Sequence, residues 1–184
     1  MSQSIQCSQK PFPQSFWVVD QLFCAGHYPG DLDPLIKDRK LRGLLESGIQ
    51  QVISLMEPNE TGRYGRPFDP YLPRLQELAD EHGVGIKYLY MSIPDASVPT
   101  RAGMEGILDK IHESVTGNIP TYVHCWGGHG RTSTVVACYL MQQGLSPQNA
   151  IAQIEKWRSD LPKNHDPFTR KQAAFILEWP HRTQ

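Results

Sequence analysis

Residues 123–134 read Val123-His124-Cys125-Trp126-Gly127-Gly128-His129-Gly130-Arg131-Thr132-Ser133-Thr134. The apolar stretch 121–124 reads as a short buried strand. Three glycines follow Cys125 within five residues, and a helical pattern then runs over 131–143 and stops at Gly144. A strand that ends in a glycine-rich turn and resumes as a helix is the junction of a βα unit.

The rest of the chain agrees with that reading. Segments 16–19 and 22–25 look like two short strands, joined at Asp20-Gln21 without the glycine of a favoured tight turn. Asp33 and Pro34 open a helix as N-cap and first helical residue; Leu41, Leu44 and Leu45 give it an apolar stripe, and Gly48 ends it. A strand follows at Val52, Ile53 and Leu55. The loop 57–70 then carries Arg63 and Arg66 among glycines and prolines. Leu72, Leu75, Leu78 and Ala79 mark a second helix and 86–91 another strand. Met104, Ile107, Leu108, Ile111 and Val115 fall at helical spacing. Ser146-Pro147 and Asp166-Pro167 read as the starts of the last two helices. Strands alternating with helices imply an α/β fold, a mostly parallel sheet with helices on both faces. The polar stretch 1–15 reads as a flexible arm, and 16–184 as one domain. In such sheets ligands bind where strands end and helices begin, which selects the turn after Val123 and the loop after Met91.

Composition narrows the partners. Eighteen Lys+Arg against nineteen Asp+Glu leave no basic excess for nucleic acid. The longest apolar run, 135–141, is too short to span a bilayer, and the polar N-terminus lacks the apolar core of a secretory leader. Four irregularly spaced cysteines, Cys7, Cys24, Cys125 and Cys138, fit free thiols in a reducing, cytoplasmic compartment. Cys24 and His27 are only two ligands and do not make a metal site, so no metal or cofactor is expected.

The loop itself suits a bound dianion. Glycines at 127, 128 and 130 let backbone N–H groups converge, the helix N-terminus adds positive partial charge, and the Arg131 fork can grip two oxygens. The same field stabilises a thiolate at Cys125, so one loop supplies both the anion site and a nucleophile. A leaving oxygen would need a proton, and Asp95, in the loop after the 86–91 strand, should reach the same sheet edge. Asp69 reads as a cap, and Asp80 and Asp109 as helix-surface residues, so they are poorer candidates. His124 and Cys125 are adjacent on an extended segment and should face opposite ways, which opposes a Cys–His dyad. Thr132 offers either a hydroxyl to the sulfur or a backbone bond in the first helical turn. His129 reads as an extra cation when protonated, which would favour multiply phosphorylated ligands, and Arg63 and Arg66 as rim contacts. Cys138 reads as core, and Gln172, on one face with Phe175 and Trp179, as buried and hydrogen-bonded.

The pattern His-Cys-x-x-Gly-x-x-Arg-Ser/Thr, met without a gap at His124, Cys125, Gly128, Arg131 and Thr132, resembles the signature of cysteine-dependent protein tyrosine and dual-specificity phosphatases. The likeness runs over about 17–179 and includes the stretch 48–55, which resembles the family's early strand. The Trp126-Gly127-Gly128 filling resembles small bacterial-type members. The resemblance implies a protein tyrosine phosphatase-like fold and a metal-free phosphocysteine mechanism. It also implies that residues 126–131 bind the phosphate, that Asp95 is the general acid, and that His124 shapes the loop. In tyrosine-specific relatives a glutamine positions the hydrolytic water; here Phe168 stands at that region's first position and Gln172 resembles its second, so the resemblance gives Gln172 no water-positioning role.

The function expected is hydrolysis of phosphate monoesters, phosphotyrosine or phosphoserine/threonine in proteins. The alternative is a non-protein phosphate such as an inositol phosphate, phosphoinositide or RNA 5′-phosphate. A rhodanese-like sulfurtransferase would cradle a cysteine similarly, but the Cys-x5-Arg-Thr spacing after His124 favours phosphoryl chemistry. A non-catalytic phosphate-binding module would be expected to lack Cys125, Arg131 or Asp95, and all three are present.

Overall fold

The fold is described by a computed structural model covering residues 9–159 and 168–180, with the Arg63 side chain outside the description. The strands are β1 (Ser15–Val19), β2 (Phe23–Gly26), β3 (Gln51–Ser54), β4 (Lys87–Tyr90) and β5 (Thr121–His124). The helices are α1 (Pro34–Glu46), α2 (Leu72–Glu81), α3 (Arg101–Thr116), α4 (Gly130–Gln142), α5 (Pro147–Trp157) and α6 (Arg170–Glu178). They form one sheet in the order β1-β2-β5-β3-β4, with β1 antiparallel to β2 and the other pairs parallel. The β1–β2 turn forms without glycine because Gln21 itself takes a left-handed φ of 57°.

Strand alternation decides the two cores. Cys24, Val52 and Tyr122 point to one face, where Leu41, Leu44 and Leu45 of α1 and Leu75, Leu78 and Ala79 of α2 cover them. Phe23, Ala25, Ile53 and Val123 point to the other, under Met104, Ile107 and Leu108 of α3 and Val135, Val136 and Cys138 of α4. The next two residues continue the alternation. His124 joins the α1/α2 side, stacked on Tyr122 and edge-on to Tyr71, and Cys125 the α3/α4 side. β5 is the central strand and its C-terminal end carries the nucleophile loop, flanked by the ends of β2 and β3.

Two sequence expectations change. The arm assigned to 1–15 is packed from residue 11: Phe12 is buried, and Trp17 Nε1 donates to the Gln9 carbonyl. Residues 1–8 lie outside the described residues. The predicted cap Asp166-Pro167 also lies outside them; α6 is capped at Thr169, whose hydroxyl accepts from Gln172 N while Gln172 Oε1 accepts from Thr169 N. Asp33 and Ser146 cap α1 and α5 where the sequence placed them.

Candidate active site

Cys125 lies between β5 and α4, buried and with a free thiol. The loop is folded tightly against the end of β2. Tyr28 N donates to the Trp126 carbonyl at 2.8 Å, and Gly128 has φ +61° with a β-carbon site only 2.6 Å from the Gly26 carbonyl carbon. A side chain at 128 would push the loop off the sheet, which is why glycine stands there. His129 precedes α4 without capping it, so no side chain of its own competes for the first-turn amides.

Arg131 joins three segments. Its side chain is 2% exposed; Nη1 and Nη2 donate to the two Glu60 oxygens at 2.5 and 2.7 Å. Nη1 also donates to the Ile93 carbonyl at 3.1 Å, and Nη2 meets Asp95 Oδ1 at 2.9 Å. Both regions selected from the sequence, the turn after β5 and the loop after β4, thus meet at one guanidinium. Burial works against its charge, and Glu60, Cys125 and Asp95 together outweigh it, holding the guanidinium more basic than usual. Asp95 stays 62% exposed, open to protons from solvent. Sequence reading missed Glu60. It sits in an aperiodic Pro-Asn-Glu-Thr-Gly stretch, and its only signal is that a buried arginine needs a carboxylate.

His124 supports the loop from the opposite face. Its Nδ1 is 3.0 Å from the Cys125 carbonyl, which can only accept, so the proton sits on Nδ1. Nε2 is then the acceptor for the Tyr71 hydroxyl at 2.6 Å, with the Tyr88 hydroxyl 3.4 Å beyond. Burial lowers the pKa of His124 to about 4. Burial first, then the neighbouring His129, Arg158 and Lys40, lower that of His27 to about 4 as well. Unfolded, both would titrate near 6.5. The unfolded chain therefore binds protons that the fold refuses, and the stability is complete above about pH 6.5 and lost as pH falls towards 4. The expected loss between pH 7 and pH 5 is about 2 kcal/mol per histidine. Urea midpoints at the two pH values check this. His27→Gln should remove roughly half of the histidine-linked loss, and an unchanged pH slope in that variant would contradict it.

Behind the loop stands Arg158, the C-cap of α5, which sequence reading also missed. Nη1 donates to Ser133 Oγ at 3.2 Å, Nη2 donates to His129 Nδ1, and Nε is buried without a partner among the described residues. Burial lowers its basicity, while the Cys125 charge favours the cation. Arg158 thus adds a further positive charge beside the loop, next to His129. The Thr132 hydroxyl is buried and has no partner among the described residues, so it makes no first-turn backbone bond. Gln172 is buried, donates to the Ser97 carbonyl at 3.0 Å and packs on Gly130, tying α6 to the Asp95 loop.

The remaining candidates separate. Trp126 and Arg66 line one cavity of about 350 Å³ beside the loop. The side chain of Arg63 lies outside the described residues. Asp69 is an ion-pair partner of Lys37 at 2.6 Å and not a helix cap, and Asp80 accepts from Gln76 on α2. Cys24 and Cys138 are core residues whose thiols burial pushes well up. Among the described residues, no helix is long and apolar enough to cross a membrane.

Residues 28–177 match the family model described as Swiss Army Knife protein, DSP-PTPase phosphatase domain. The chain is 30% identical over 138 residues to cyclin-dependent kinase inhibitor 3 of Rattus norvegicus, covering 74% of this chain and 59% of that one. It is 32% identical over 130 residues to phosphatidylglycerophosphatase and protein-tyrosine phosphatase 1 of Mus musculus, covering 68% and 61%. It therefore spans about three fifths of the length of these relatives. In structure it resembles Tk-PTP in the active form, with a TM-score of 0.67 and 23% identity over 91% of this chain and 97% of that one. The crystal structure of PTPMT1 in complex with PI(5)P gives 0.65 and 24%, covering 90% and 94%.

Proposed function

Since the chain belongs to the DSP-PTPase family of cysteine-dependent phosphatases, we propose that it hydrolyses phosphate monoesters through a phosphocysteine intermediate. The observation that carries this reading is the convergence on Arg131 of the Cys125 loop and Asp95, with Arg131 Nη2 and Asp95 Oδ1 2.9 Å apart. The substrate dianion takes the amides of 126–131 and the Arg131 N–H groups that Asp95 shares in the free protein, so Asp95 swings to the leaving oxygen. Glu60 keeps the far edge of the guanidinium fixed while this happens. Cys125 Sγ attacks phosphorus in line, the S–P bond forms as the P–O ester bond breaks, and Asp95 gives its proton to the departing alkoxide or phenoxide. Water then attacks phosphorus and yields its proton to the Asp95 carboxylate. The S–P bond breaks, and the unpartnered Thr132 hydroxyl receives the sulfur's returning charge.

Both a phosphoprotein and a non-protein phosphate fit this chemistry, and the name of the Mus musculus relative covers both kinds. The test is turnover of the purified chain on phosphopeptides, inositol phosphates, phosphoinositides and RNA 5′-phosphates, with an aryl phosphate as reference. Activity should survive EDTA, because neither nucleophile nor acid needs a cation. Loss on chelation, restored by Mg²⁺ or Zn²⁺, would overturn the mechanism.

A further inference from the structure

Nine large apolar side chains are exposed among the described residues; two of them, Leu32 and Trp126, line the cavity beside the nucleophile loop, and three more, Leu35, Ile36 and Tyr64, lie between its lining residues along the chain. Leu32, which lines that cavity, is 82% exposed; Leu35 and Ile36 follow on the first turn of α1, Leu35 at 77%. Between two other lining residues in the chain, Gly62 and Arg66, Tyr64 is 95% exposed. Trp126, the residue after Cys125, completes the rim. Tyr64 also holds a left-handed φ of 68°, a conformation that costs energy for a non-glycine residue.

The charges around this rim are unequal. Asp31 is paired with Lys40 at 2.9 Å and Asp69 with Lys37 at 2.6 Å, and Asp38 with Arg74. Asp33 is engaged as the α1 cap. Arg39, one turn beyond Leu35, and Arg66 have no carboxylate partner among the described residues. The rim therefore presents protruding leucine, isoleucine and aromatic side chains flanked by uncompensated arginines.

We propose that this rim docks on an anionic phospholipid bilayer, with Leu32, Leu35, Ile36, Tyr64 and Trp126 entering the headgroup layer and Arg39 and Arg66 meeting lipid phosphates. Exposed apolar side chains on three separate segments, of which Leu32, Leu35 and Tyr64 stand almost wholly free, suit a deformable lipid surface better than a protein partner, which would need a matching pocket for each. Tyrosine and tryptophan gain most at such an interface, where ring and polar tip are both accommodated. Arginines near the surface add attraction that falls with salt. The inference rests on the phosphatase reading and deepens it: docking presents the Cys125 loop to a phosphomonoester held at the bilayer surface.

The test is co-sedimentation of the full chain with vesicles of phosphatidylcholine alone or with about 30 mol% phosphatidylglycerol, compared with the double variant Leu35→Ser/Tyr64→Ser. Wild type should sediment with the mixed vesicles, less so in raised salt, and weakly with phosphatidylcholine alone. The variant should partition at least ~10-fold more weakly, because binding scales with the apolar area inserted. Hydrolysis of a soluble aryl phosphate should be the same in both proteins, which also shows that the variant is folded. No partition by wild type, or equal partition by both, overturns the docking surface. A variant that binds vesicles normally but loses turnover on a phosphoprotein assigns the rim to protein docking and overturns it too. Vesicle binding without any aryl-phosphate hydrolysis by wild type would instead remove the phosphatase reading.

Discussion

Cys125→Ser is expected to lower turnover on the order of 10⁴-fold or more while phosphate or tungstate still binds the loop. The hydroxyl oxygen replaces the sulfur almost isosterically but is far less acidic and a poorer nucleophile, so no phosphoryl bond forms. The binding groups are elsewhere: Arg131 stays fixed by Glu60 and the Ile93 carbonyl, and His124 still holds the loop through the carbonyl of residue 125. Steady-state rates and calorimetric anion titration measure the two halves. Activity above a few per cent of wild type would overturn covalent catalysis. Loss of anion affinity along with activity would mean that the sulfur organises the loop.

Asp95→Asn should lower turnover on alkyl phosphates by ~10²-fold or more, the span expected of a general acid. The carboxamide keeps the size of the side chain and can accept from Arg131, but it has no proton to deliver. Phosphate esters of acidic phenols leave without protonation, so their loss should be much smaller. A plot of rate against leaving-group pKa should accordingly steepen in the variant. Equal losses on both kinds of ester would reduce Asp95 to an ion-pair partner of Arg131, the contact it makes at 2.9 Å in the free protein.

The parts of the molecule legible in the sequence are those governed by local periodicity. The alternation Tyr122, Val123, His124, Cys125 predicts which face each side chain takes, and the structure places Tyr122 and His124 on the α1/α2 side and Val123 and Cys125 on the other. Caps announced by Asp33 and Ser146 fall where their short polar side chains can reach the first-turn amides. What the sequence hides is pairing across long separations. Glu60 and Arg131 are 71 residues apart, Tyr71 and His124 are 53 apart, and no pattern in either loop signals the partnership. Arg158 looks like an ordinary helix-terminal charge until its guanidinium is found on His129 and Ser133. Residues 11–15 lack periodicity because they are held by individual contacts, such as Phe12 edge-on to Tyr122, and not by a repeating face.

The proposed mechanism requires a covalent bond between Cys125 and phosphorus. The most direct measurement is alkaline quenching of the purified chain within milliseconds of mixing with a ³²P-labelled aryl phosphate, followed by peptide mapping. Label should appear on the peptide carrying Cys125 as an alkali-stable, acid-labile S-phosphocysteine, accumulate in Asp95→Asn when dephosphorylation is slowed, and be absent from Cys125→Ser. Turnover without any trapped label in either active protein, or label on a histidine, aspartate or serine instead, would contradict the account.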